Sequence, residues 1–161
     1  VIIVPTIVHT GTCFTIDHLF ADVPKIRNPK RGFGVFWAHV WAERMPEIID
    51  RMGEGHPIVV PLRPPVNVAL SWKKRERNLA ELDQQWRRMR DIIDHYDPMY
   101  LPVESPHREV FLDKIRHRLD MPLHTDWRKI ASIENEGISL TDEEIQQAER
   151  WNEFYGKNST P

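Results

Sequence analysis

Val1-Ile2-Ile3-Val4-Pro5-Thr6-Ile7-Val8 leads directly into His9-Thr10-Gly11-Thr12, and that junction decides how the chain is read. The first eight residues form a continuous apolar run rich in β-branched side chains, as expected of a strand buried on both faces. The polar, glycine-bearing stretch after it reads as a tight loop, and residues 13–20 read as the helix it feeds. Strand, tight loop and helix make the opening unit of a parallel α/β sheet. The apolar run is too short to cross a bilayer and lacks the basic start of a signal peptide.

The same alternation continues along the chain. Pro24, Pro29, Gly32 and Gly34 mark residues 23–34 as an irregular loop, after which residues 35–40 resume as a strand. Met45, Ile48, Ile49 and Met52 give residues 43–52 helical spacing, and the stop at Gly53 and Gly55 leads into a strand over 57–62. From 66 to 96, Trp72, Leu79, Leu82, Trp86, Met89, Ile93 and Tyr96 predict one long amphipathic helix, whose charged outer face reads as solvated. A strand over 99–103 precedes a helix capped by Ser105, with Pro106 in its first turn, running to about Leu119. Residues 122–129 read as a loop. Thr141-Asp142-Glu143-Glu144 is a capping box that opens a last helix through Ile145, Ala148 and Trp151. The expectation is a single domain over 1–155 with a flexible tail at 156–161, folded as a three-layer α/β/α structure around a mostly parallel sheet of about four to five strands.

Composition narrows the function. With 161 residues the chain suits one ordinary domain, and a net charge of -2 offers no global attraction to nucleic acid or an anionic membrane, so any anion site is local. The single cysteine, Cys13, excludes an internal disulfide framework and a multi-cysteine metal site, which fits a cytoplasmic setting. It reads as a small packing residue at a helix start, the alternative being a thiol activated by the helix terminus. His18, His56, His95, His107, His117 and His124 show no metal-ligand spacing, so no metal is expected.

In an open parallel sheet, ligands gather beyond the carboxyl ends of the strands, and three of those ends carry polar signals. The first is Thr10-Gly11-Thr12, where backbone N–H groups at a helix start suit a phosphate or sulfonate, although a plain βα turn would look the same. The segment lacks the second glycine and the Lys-Ser/Thr pair of a Walker loop, which weakens an ATP site. The second is His39, which closes Phe36-Trp37-Ala38-His39 and is either a general base or a half-buried packing histidine. The third is Arg63, at the end of Val59-Val60-Pro61-Leu62, with Ser71 on the helix that follows. The two form either a monophosphate pocket or an ordinary ion pair and helix residue.

Taken in order, these pieces resemble the sulfotransferases that use 3′-phosphoadenosine 5′-phosphosulfate (PAPS). That family carries a Pro-Lys-Ser-Gly-Thr-Thr loop, a Lys-Thr-His element, and an Arg-x7-Ser segment ending in Asp-Val-Ala-Val-Ser-Tyr. Here the counterparts are Val8-His9-Thr10-Gly11-Thr12-Cys13, Trp37-Ala38-His39, and Arg63-Pro64-Pro65-Val66-Asn67-Val68-Ala69-Leu70-Ser71-Trp72, the last being the most specific. The resemblance spans mostly residues 1–72, with a weaker echo in Asp126-Trp127-Arg128-Lys129. It implies a P-loop NTPase-like form of the fold and PAPS as sulfuryl donor without metal. It further implies Arg63 and Ser71 on the 3′-phosphate, and Thr10, Gly11, Thr12 and Cys13 around the 5′-phosphosulfate. His39 would be the base for in-line transfer to a hydroxyl or amine.

Two departures qualify that pattern. His9 stands where the family has Lys or Arg, so the cation at the transferring group is weaker or absent unless a protonated His9 or a loop residue from Lys25, Arg27, Lys30 and Arg31 supplies it. The interval between Cys13 and His39 is short, which implies a shallow or shared acceptor site better matched to a glycan or peptide than to an enclosed phenol. The alternatives are a non-catalytic nucleotide-binding or interaction protein on the same frame and a small nucleotide kinase.

Overall fold

The computed structural model describes residues 1–7, 10, 12, 14–28, 33–40, 44–52, 54–94, 96–121, 123 and 137–161. Within them the apolar runs form parallel strands in two pairs. β1 (Ile2–Thr6) pairs with β2 (Val35–His39), in register from Ile2 with Val35 to Thr6 with His39. β3 (Val59–Leu62) pairs with β4 (Met99–Pro102). One parallel bridge, Ile3 with Ile58, joins the pairs, and the Ile3 N–H donates to the Pro57 carbonyl at 2.9 Å. Because each contact is parallel, all four carboxyl ends share one edge.

Side chains alternate across a strand, so each pair presents two apolar faces that must both be covered. Ile2, Val4, Val35, Val59 and Leu101 join one core with Ile16, Leu19, Phe20, Leu112 and Ile115. Ile3, Phe36, Val60 and Leu62 join the other with Met45, Ile49, Trp72, Trp86 and Met89. The first face is therefore covered by a π-helical segment, Phe14–Leu19, and by α4 (Arg108–Leu119). The second is covered by α1 (Arg44–Met52), α2 (Pro65–Lys74), α3 (Leu79–Ile93) and α5 (Asp142–Glu149), with α6 (Asn152–Ser159) beside β4.

Several elements depart from the sequence expectation. The single helix expected over 66–96 is two helices, α2 and α3, separated by a turn in which Glu76 adopts φ 54° and Asn78 caps α3 by accepting from the Ala80 N–H at 2.9 Å. The helix after the first strand winds more widely, the Phe20 N–H reaching back to the Thr15 carbonyl at 3.0 Å. Ser105 closes a turn by accepting from the His107 N–H at 3.1 Å, and α4 begins only at Arg108. The last helix breaks after Glu149 and restarts as α6, so residues 156–159, expected in a tail, are its final turn. The capping box of Thr141 and Glu144 forms as read. Gly34 is required by close approach: a Cβ there would lie 2.5 Å from the Pro24 carbonyl oxygen, where the incoming loop docks on Val35.

The carboxyl-terminal helices are held by Trp151, whose ring stacks on Trp86 at 5.9 Å and whose Nε1–H donates to Asp83 Oδ1 at 2.8 Å. Trp151→Ala should cost about 3–5 kcal/mol of stability. Trp151→Phe, which keeps a ring but drops the donor, should cost about 1–2 kcal/mol, both read by urea denaturation.

Candidate functional site

The parallel register of β1 and β2 builds one polar contact at the carboxyl edge. Thr6 and His39 are register partners at the last pair of the ladder, and the buried Thr6 Oγ1 lies 2.9 Å from His39 Nδ1. The imidazole is half-buried, and that burial is the main cause holding its pKa below 6.5. The positive charge of Arg77 lowers it further, against a smaller opposing hydrogen bond with the Thr6 backbone. His39 is therefore neutral at pH 7, the form a proton acceptor needs.

Arg77 was not singled out from the sequence. It sits in the turn between α2 and α3, its guanidinium 5.5 Å from the Trp72 ring centroid and its N–H on the Trp72 carbonyl at 3.0 Å. A continuous helix would have carried this residue elsewhere, so the break is what brings its charge to His39. Asn78, a strong cap residue, was the signal available for that break. Trp37, two residues before His39 on the same side of β2, is 40% exposed and meets the imidazole edge-on at 5.8 Å.

Arg63 follows β3 directly and is only 3% exposed. Its Nε donates to Glu104 Oε1, on the turn after β4, while Asn67 Nδ2 donates to the other oxygen, Glu104 Oε2, at 2.7 Å. Ser71 is buried in α2, and its Oγ accepts from Arg75 Nη1 at 2.9 Å. The two residues assigned to one phosphate thus each have a protein partner: a carboxylate for Arg63 and a guanidinium for Ser71.

At the first strand end, Thr10 is buried and turns its hydroxyl inward, donating to the Ile7 carbonyl at 2.7 Å. Thr12 Oγ1 is buried without a hydrogen-bond partner. His9, Gly11 and Cys13 lie outside the described residues, as do Lys30, Arg31 and the segment 126–129. Lys25, a candidate cation for the transferring group, instead donates to the Phe20 and Ala21 carbonyls and closes the end of the π-helical segment.

No protein-family model, curated protein or solved structure matches this chain. The site therefore rests on its own chemistry. Among the described residues no group of His, Cys, Asp and Glu is arranged to hold a metal, and no helix is long and apolar enough to cross a membrane. Two cavities lie away from the motif edge. One of about 410 Å³ is lined by Pro46, Asp50, Arg88 and Tyr96; another of about 460 Å³, lined by His56, Pro57 and Asp97, is at the amino ends of β3 and β4.

Arg77→Ala should raise the His39 pKa toward 6.5 without restoring it fully, since burial remains the larger cause. Imidazole NMR titration checks this. The depressed value also makes a sign prediction for stability: the contribution of His39 is full above about pH 6.5 and is lost as pH falls through its folded-state pKa.

Proposed function

We propose that this chain transfers a sulfuryl group from PAPS to a hydroxyl or amine acceptor, with His39 as general base, in a cytoplasmic setting. The observation that carries the reading is the half-buried imidazole of His39, its Nδ1 2.9 Å from Thr6 Oγ1 at the strand edge where the ordered sequence motifs end. Base action through Nε2 requires the tautomer in which Nδ1–H donates to Thr6 Oγ1. The finer fold belongs to the same proposal: β2, β1, β3 and β4 read as one parallel sheet of the P-loop kind, supported by the Ile3–Ile58 bridge.

PAPS, when bound, supplies a sulfuryl group activated by its phosphate leaving group. The residues of this chain have three tasks. Arg63 and Ser71 take the 3′-phosphate; Thr10, Gly11, Thr12 and Cys13 surround the 5′-phosphosulfate, with His9 in its cationic form beside it; His39 removes the acceptor proton. The unpartnered Thr12 hydroxyl fits a site that expects a ligand oxygen, and a buried arginine fits an anion. The exposed ring of Trp37 beside His39 suits an acceptor approaching from solvent, as a glycan or peptide would.

Two observations favour a second reading, a non-catalytic protein on this frame. Glu104 already meets the charge of Arg63, and His9 replaces the usual loop cation.

Calorimetric titration with 3′-phosphoadenosine 5′-phosphate in metal-free buffer separates the two. The sulfotransferase reading expects binding by the native chain that Arg63→Ala abolishes, followed by PAPS turnover that falls about 10²–10⁴-fold in His39→Ala. Binding without PAPS turnover, or no binding by folded protein, selects the non-catalytic reading.

A further inference from the structure

We infer that Glu104 is an internal counter-anion of the Arg63 site, and that it sets how strongly the site takes a phosphate monoester. The inference rests on the assignment of Arg63 to a nucleotide 3′-phosphate.

Arg63 is 3% exposed and carries a charge it cannot lose, so an anion must face it whether or not a ligand is present. Glu104 fills that role from the end of the adjacent strand. Its carboxylate is divided between two partners, Arg63 Nε on one oxygen and Asn67 Nδ2, 2.7 Å from the other. The two sides of the pair differ in access to water: the Arg63 side chain is 4% exposed and that of Glu104 29%. Glu104 can swing into solvent and be rehydrated, whereas the guanidinium stays buried. An arriving phosphate monoester brings nearly two charges and three acceptor oxygens against the single charge of the carboxylate. It can displace Glu104 where a monoanion gains nothing by doing so. The carboxylate therefore lowers affinity for the proper ligand while keeping weaker anions off Arg63.

The test is calorimetry on Glu104→Gln with two nucleotides, 3′-phosphoadenosine 5′-phosphate and adenosine 5′-phosphate, which lacks the 3′-phosphate. The expected result is a gain of at least about tenfold for the first and a change within about twofold for the second, the first gain vanishing when Arg63→Ala is added. Without ligand the Glu104→Gln protein should melt below the native chain, because Arg63 loses its anion, and the 3′-phosphorylated nucleotide should raise its melting temperature more than it raises the native one. A purely structural ion pair would give the lower melting temperature without the larger ligand shift. Asn67→Ala, which only unfastens the carboxylate, should give a smaller gain in the same direction and serves if Glu104→Gln does not fold. An unchanged or weakened affinity for the 3′-phosphorylated nucleotide, or equal gains for both nucleotides, overturns the inference while leaving the donor site in place. No binding by native chain and variants alike would remove the donor site itself.

Discussion

The parallel pairing of β1 with β2 is the constraint on which the remaining structure depends. A parallel pair cannot close through a hairpin, so the chain must leave the edge, cover one face and return. The π-helical segment and the irregular stretch docked through Gly34 make that return. The bridge from Ile3 to Ile58 then sets the second pair beside the first in the same sense. From that one geometry come the two apolar faces, the helices on both of them, and an edge at which Thr6, His39, Arg63 and Glu104 are all delivered by strand ends or the turns that follow them.

The chemistry of the edge is shaped by the burial of His39 and Arg63. Burial is the main cause that keeps His39 neutral, and the charge of Arg77 adds to it. Burial also obliges Arg63 to keep an anion at hand, which Glu104 provides. The same physical condition thus favours the neutral imidazole at one strand end and leaves a charge-compensated cation at another.

Much of the frame was legible because the strands are short apolar runs and the capping box at Thr141 is local chemistry. The missed break at 75–78 has a different cause: the apolar spacing on both sides stays near helical, and one residue with φ 54° is enough to redirect the chain without disturbing the pattern. The late start of α4 likewise follows from Ser105, whose hydroxyl serves a turn as readily as a helix cap.

The sequence by itself determined the alternation of strands and helices and the positions of His39 and Arg63 at strand ends, because periodicity and turn residues act over a few neighbours. Tertiary structure alone decided their partners. Thr6 meets His39 across 33 residues, and Glu104 meets Arg63 across 41. Contacts of that span are set by strand register and by which strands lie side by side, neither of which is encoded in any local stretch of chain.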